Sequence, residues 1–487
     1  MSNQPPAPLG DMSADEFRRH GHALVEWIAD YLDNPDRYPV LARVAPGDIT
    51  RALPAAAPEQ AEPFETILAD VDRVLMPGVT HWNHPGFMAY FGITASAPGV
   101  FADFLSSALN QQAMLWRTSP VSTELEGVAL NWLRALIGLP PAFEGVIYDT
   151  ASVSTLHALA TAREVAVPGV RADGLPGRPG VPRLRVYCSD QTHSSIDKSV
   201  MLLGLGHDAL RKIPTDETFR MRVDALRAAI AEDRAAGWLP IAVVATIGTT
   251  STTSVDPVAA IADVCEAERL WLHVDGAYGG VCGMLPEMRE HFAGLERADS
   301  FVVNPHKWLF TPFDLSAFYC RHMDTLRQAF SLTPEYLRTP DNARNLSDTG
   351  VQLGRRFRSL KLWMILRYFG AEGLRARLRE HIRLAQLLAG WVDAHPDFER
   401  LAPVPFSVVC FRANPRARMM PDAELDTFNE ALMHRVNDSG DIFLSHTKLR
   451  GVFTIRVAIG NIRTSEAHVR RLWDLVQDAA QLGMGRT

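Results

Sequence analysis

The chain predicts an α/β fold built on a mostly parallel sheet, and three observations carry that expectation. Between residues 86 and 368, short β-rich runs alternate with stretches of helical periodicity. The runs are apolar nearly throughout instead of alternating, as strands covered on both faces must be. Two of them end in chemically loaded residues: Trp271-Leu272-His273-Val274 leads into Asp275, and Phe301-Val302-Val303 leads into Asn304-Pro305-His306-Lys307-Trp308. The C-terminal edge of a parallel sheet is where such folds gather functional groups.

Taken in order, the chain opens with an amphipathic helix over residues 14–32, announced by Ser13-Ala14-Asp15-Glu16 as a cap with acidic first-turn residues. Phe17, Leu24, Val25, Ile28 and Leu32 fall on one side, yet nothing nearby can form a core for them. A Pro- and Ala-rich linker at 53–63 and a second helical pattern at 64–75 follow. Residues 1–85 therefore read as a helical segment that packs on another subunit. Strands are expected at 145–148, 184–188, 241–246, 271–275 and 301–303. The apolar run 315–320 comes too soon after Lys307 for a helical crossover, so it should pair antiparallel. Residues 173–182 are too rich in Gly and Pro for a regular element and read as an exposed loop. After Tyr368, charged helical patterns around 374–394, strand-like runs at 406–411 and 452–459, and a closing helix at 465–482 indicate a smaller α+β domain. The expected units are 1–85, a large α/β domain at 86–372 and the small domain at 373–487.

Composition narrows the function. The chain has 487 residues, 47% hydrophobic and 22% charged, which is an ordinary globular balance with room for more than one domain. Its net charge of −7 comes with no Lys/Arg tract, which argues against nucleic acid as a partner. Five scattered cysteines, never spaced Cys-x-x-Cys, read as buried reduced thiols of a cytoplasmic protein. No signal-like start and no bilayer-length apolar run are present, so no membrane association is expected. Sixteen histidines include no His-Glu-x-x-His, and no metal site is expected.

The strand ends speak to chemistry. A lysine delivered into a pocket by a strand end, with a histidine beside it and a proline fixing the approach, suits a Schiff base to an aldehyde cofactor. Asp275 could keep a pyridinium nitrogen protonated, and equally could cap the next helix. His193 follows another strand and could stack on a ring, or simply be solvated. Thr150-Ala151-Ser152, between a strand and a helical pattern, offers backbone N–H groups and a hydroxyl to a phosphate, or a cap. Thr246 opens a hydroxyl-rich run to Thr253 that lacks the Gly-Lys-Ser/Thr of a nucleotide loop. Four strand exits bearing Ala151-Ser152, His193, Asp275 and Lys307 are hard to explain as separate caps.

These residues, with Phe17-Arg18-Arg19, Met76-Pro77-Gly78-Val79-Thr80-His81-Trp82, Thr123-Glu124-Leu125-Glu126, Leu353 through Lys361 and Ala467-His468-Val469, resemble the group II pyridoxal-phosphate decarboxylases, most closely the aromatic-L-amino-acid decarboxylases. The resemblance spans nearly the whole chain. It implies fold type I, the PLP-dependent transferase-like architecture with a mostly parallel seven-stranded sheet. It also implies a homodimer clasped by the N-terminal segment, with the active site at the subunit interface. Lys307 would carry pyridoxal 5'-phosphate as a Schiff base, Asp275 would pair with the pyridinium nitrogen and His193 would stack on the ring. Ala151, Ser152 and Asn304 would bind phosphate, while Thr246, Ala277 and His306 would line the cofactor pocket. Tyr336 matches the tyrosine that protonates the quinonoid carbanion after carbon dioxide leaves; relatives with phenylalanine there tend to oxidise it and release an aldehyde. Trp82, Tyr90, Phe91, Ile93, Gln112, Met114 and Gly354 would form the substrate pocket. Ile93 stands where a small hydroxyl residue is common, Gln111 through Met114 replace a more apolar stretch, and Asp149 replaces a usual glycine. The implied reaction is decarboxylation of an aromatic L-amino acid to the amine. An aldehyde synthase, a decarboxylase of a non-aromatic amino acid and a silent cofactor-binding scaffold are the alternatives.

Overall fold

The computed structural model describes residues 10–175, 179–332, 345–415 and 419–485. Seven strands form the main sheet: β1 (Glu144–Tyr148), β2 (Leu184–Ser189), β3 (Leu210–Ile213), β4 (Leu239–Thr246), β5 (Trp271–Asp275), β6 (Ser300–Val303) and β7 (Ser316–Cys320), in the order β1-β7-β6-β5-β4-β2-β3. Strands β2 to β6 pair in parallel. β7 runs antiparallel to both β1 and β6, as the short gap after Lys307 requires.

The near-continuous apolar runs have a direct explanation. Ala242 and Val244 of β4 pack into the core on one face with Val186, Val302 and Phe318. Val243 and Ala245 point the other way, into a core with Leu272, Val274 and Phe301. Helices cover both faces, so successive residues of a strand are buried on opposite sides. β3, Leu-Arg-Lys-Ile, was not legible as a strand because it is the sheet's edge, where charge in the middle of a short strand blunts further pairing.

A second, antiparallel sheet comprises β8 (Phe398–Arg400), β9 (Val408–Ala413), β10 (Ser445–Leu449) and β11 (Val452–Ala458), in the order β10-β11-β9-β8. Its apolar face meets helices Asp422–Asp438 and Glu466–Gly485 around a separate core that includes Val409, Phe411, Ile455, Leu432 and Leu472. The helix Ser359–Ala394 joins the two sheets and breaks at Gly370, whose φ of 62° and ψ of 170° are non-helical and open to glycine without a side-chain clash.

At the other end, helix Ala14–Asp33 has the expected capping box: Glu16 N–H donates to Ser13 Oγ at 3.3 Å, and Ser13 N–H donates to Glu16 Oε2 at 3.1 Å. Of its residues only His20 is buried. The second helical pattern splits into helix Phe64–Asp70 and a wide turn at Val71–Leu75. All five cysteines are buried free thiols. No described helix is long and apolar enough to cross a membrane, and no group of metal-ligating side chains occurs among the described residues.

Candidate active site

Strand register does the first part of the assembly. Thr246 at the end of β4 pairs with Asp275 at the end of β5, and Asp275 with Val302 of β6, so the two strand exits and Asn304 reach the same sheet edge. Asn304 N–H donates to Ala277 O at 3.1 Å, fastening the exits together. Beyond Asn304, Pro305 occupies the first position of a four-residue helix, where its missing N–H costs nothing. That turn presents Lys307.

Lys307 shares a cavity of about 220 Å³ with Ala151, Ser152, His193, Thr246, Asp275, Ala277, Asn304 and His306. The structure thus brings together every cofactor residue expected from the sequence. Burial pushes the Lys307 amine below its usual range, with Asp275 opposing and Arg456 reinforcing the shift. A lowered pKa leaves more of the amine unprotonated near neutral pH, and only that form can attack an aldehyde. His193 is also lowered, by burial first, then raised by Asp275 and lowered by Lys307; its Nδ1 accepts from Ser195 N–H at 3.1 Å, which orients the ring. His306 is driven to about 3 by burial, and its Nδ1 accepts from Leu315 N–H at 3.0 Å, so it braces the turn as a neutral ring.

The capping alternatives resolve differently at each exit. Asp275 does cap its own turn, accepting from Ala277 N–H through Oδ1 at 2.9 Å, while still lining the cavity. Ser152 is no cap: Thr150 holds the N-cap position of helix Ala151–Ala166 and makes no side-chain capping bond. The first intrahelical bonds are made by Val153 and Ser154 N–H to Thr150 O. The N–H groups of Ala151 and Ser152 precede them, at the positive end of a 16-residue helix.

Aromatic packing holds the lysine turn from beneath. Phe91 stacks on Tyr278 at 3.9 Å, and Tyr278 on Trp308 at 4.5 Å. Trp308 Nε1–H donates to His381 Nδ1 at 2.9 Å. Lys307 Nζ lies 5.1 Å from the Phe91 centroid and Arg456 Cζ 4.6 Å from it.

Three buried polar groups here have unmet atoms: Thr246 Oγ1, Asn304 Oδ1 and Arg456 Nη2. Groups left so in a buried site await something polar. An amine for an aldehyde, a carboxylate for a pyridinium, helix N–H groups and a hydroxyl for a phosphate all suit pyridoxal phosphate. Residues 46–414 match the pyridoxal-dependent decarboxylase conserved domain. The chain belongs to that family. It is 40% identical over 483 residues to aromatic-L-amino-acid decarboxylase of Sus scrofa, covering 96% of this chain and 97% of the relative. It is also 38% identical over 494 residues to phenylacetaldehyde synthase of Arabidopsis thaliana, covering 99% of each. The structure of Oryza sativa TDC with PLP and tryptamine superposes with a TM-score of 0.93 at 36% identity, covering 98% of this chain and 99% of that one. This is a pyridoxal-phosphate enzyme of fold type I, related to both aromatic amino acid decarboxylases and aldehyde synthases.

The substrate-pocket residues divide. Phe91 and Ile93 line the Lys307 cavity, and with Tyr90 they also line an adjoining one of about 340 Å³ that includes Thr250, Ser445, His446, Thr447 and Arg456. Trp82 sits behind Tyr90, ring centroids 6.2 Å apart. Gln112, Met114 and Gly354 line neither cavity within one chain. Gln112 Oε1 instead accepts from Arg355 N–H at 3.1 Å, beside Gly354. Tyr336 lies outside the described residues. Sequence reasoning missed Arg456; its signal was a lone arginine inside the apolar run of β11.

Proposed function

We propose that this enzyme decarboxylates an aromatic L-amino acid to its amine and carbon dioxide. The observation that carries this reading is one cavity in which Lys307, Asp275 and His193 converge against the aromatic wall of Phe91, with Tyr90 lining the adjoining cavity. When bound, pyridoxal phosphate supplies an aldehyde carbon that captures amines and a ring that accepts the electron pair released with carbon dioxide. Lys307 would carry the cofactor, and Asp275 would keep a proton on its ring nitrogen. His193, whose proton affinity burial lowers, would pack against the ring with little positive charge of its own. Ala151, Ser152 and Asn304 would take the phosphate, with Thr246, Ala277 and His306 closing the cofactor pocket. Arg456 would receive the amino acid's carboxylate through its unpartnered Nη2. Phe91 and Ile93, which line the cavity, would help to keep water from the reacting carbon. Tyr336 would deliver the proton that replaces the lost carboxyl group at Cα.

A second reading, an aldehyde synthase, is favoured by the similarity to phenylacetaldehyde synthase. Product analysis separates the two. Tryptophan, DOPA, tyrosine and phenylalanine are offered to wild type and Tyr336→Phe, and amine, aldehyde, carbon dioxide and hydrogen peroxide are measured. Amine without peroxide from wild type, and aldehyde with peroxide from Tyr336→Phe, are expected; stoichiometric peroxide from wild type would establish the synthase. No amine and no aldehyde from any of the four would end the aromatic assignment. Five buried reduced thiols fit a cytoplasmic setting for this reaction.

A further inference from the structure

Asp149 joins two parts of the molecule, the Thr150-Ala151-Ser152 turn and the segment that leads to Gly354. It follows β1 and precedes the Thr150-Ala151-Ser152 turn. Its Oδ1 accepts from Thr150 N–H at 2.6 Å and from Thr150 Oγ1–H at 3.2 Å. Its Oδ2 accepts from Gln352 Nε2–H at 3.2 Å. One carboxylate oxygen therefore holds the phosphate turn and the other holds the segment that leads to Gly354. A glycine at 149 could do neither.

The neighbouring contacts follow the same line. Tyr148 O–H donates to Thr349 O. Val351 N–H donates to His157 Nε2 at 3.2 Å, on the helix that begins at Ala151. Gly350 is wedged so closely that a Cβ there would meet His157 Cε1 at 2.7 Å. Arg355 reaches back through Nη2 to Ile147 O at 2.6 Å and Glu126 Oε1 at 2.9 Å, and Glu126 Oε1 also accepts from Ile147 N–H at 2.9 Å. The end of β1 is thus gripped at Ile147, Tyr148 and Asp149 in turn. Of these contacts, Asp149's is the one that touches the turn itself.

Building on the reading of Ala151 and Ser152 as phosphate ligands, we propose that Asp149 is a positioning residue whose contact with Gln352 sets the phosphate turn, so that cutting it weakens cofactor binding through the phosphate alone. The test titrates cofactor-free Asp149→Ala, Gln352→Ala, the double variant and Asp149→Asn with pyridoxal phosphate and, separately, with pyridoxal. Gln352→Ala should raise the dissociation constant for pyridoxal phosphate about fivefold, what one ordinary hydrogen bond is worth at a half-buried site, and Asp149→Ala at least as much, since it also loses both bonds to Thr150. The double variant should be no worse than Asp149→Ala, because both changes cut the same contact. Asp149→Asn should bind like wild type, since its amide oxygen can still accept from Thr150 and a turned-over Gln352 amide can accept from its Nδ2. Pyridoxal affinity should not move. Additive losses, an asparagine variant as weak as alanine, or an equal loss of pyridoxal affinity would each overturn the proposal. Should Asp149→Ala not fold, Gln352→Ala and Asp149→Asn decide it alone. A wild type that takes up no pyridoxal phosphate would instead refute the reading of the site.

Discussion

Arg456 is 4% exposed, and among the described residues it has no ion-pair partner. Two of its nitrogens reach carbonyls, Ser251 O at 3.0 Å and Tyr90 O, and Nη2 reaches nothing. Burial lowers its proton affinity, and an arginine held so is an uncompensated charge facing a cavity. A carboxylate arriving there would gain what truncation of a buried charge pair costs, about 2–5 kcal/mol. Arg456→Gln should therefore lower kcat/KM at least thirtyfold, roughly 2 kcal/mol, mainly through KM. Uptake of pyridoxal phosphate and inhibition by the product amine, which lacks the carboxylate, should stay as in wild type. Steady-state kinetics with amine inhibition checks this, and unchanged kcat/KM would mean the carboxylate binds elsewhere. The contrast with Lys307 explains what the sequence disclosed. Asp275 ends a strand and Lys307 and His193 follow one, where a polar residue at the end of an apolar run stands out. Arg456 lies inside a strand of the second sheet, and only the folded chain brings that strand to the cavity.

At the scale of elements, the buried strands were legible because a two-sided burial leaves no polar alternation, whereas β3, β8 and β10 were not. These three lie at sheet edges, where exposed positions admit Lys212, Arg400 and Lys448 and erase the apolar run. The same deep burial makes the elements sensitive to acid. His157 and His306 are pushed to about 3, His273 and His381 to about 4, each chiefly by desolvation. They are neutral in the folded chain and protonate near 6.5 once unfolded, so the unfolded state takes up the extra protons. Stability therefore falls as pH drops below about 6.5, each ring costing about 3 kcal/mol by the time pH reaches about 4. Asp256, which accepts from Met221 and Thr246 N–H, opposes this: burial raises it to about 6, so its own contribution improves as pH falls from about 6 toward 4. One acid offsets about one histidine, leaving the net sign unchanged. Thermal unfolding of cofactor-free protein should show a midpoint that declines steeply between about pH 6 and 4.5. A flat profile over that window would mean these rings are not held neutral.

The whole molecule leaves a surface that one chain does not cover. Helix Ala14–Asp33 buries only His20, and a groove of about 550 Å³ runs between its Leu24, Val25 and Ile28 and the Val100, Phe101 and Phe104 of helix Ala97–Leu109. Phe101 is 52% exposed and Phe104 46%. We propose this exposed apolar groove as an interface with a second copy, since the sequence had already left the N-terminal helix without a core. Gln112, just past the end of the Ala97–Leu109 helix, and Gly354 beside it lie outside their own chain's Lys307 cavity. A second copy seated on this face is the arrangement in which those residues could read the partner's substrate. The protein should therefore sediment as a dimer, and Phe101→Asp with Phe104→Asp should give folded monomers without amine production. Subunit mixing tests the crossing itself. Lys307→Ala removes one chain's cofactor lysine, and Gly354→Trp fills the neighbouring position, so each homodimer should be inactive. If Gly354 serves the partner, a mixed dimer holds one site with both Lys307 and Gly354 intact, and random exchange should restore about a quarter of wild-type activity. If Gly354 serves its own chain, each site of the mixed dimer keeps one defect. Activity then stays absent at every mixing ratio, and the shared site is refuted even if the dimer stands.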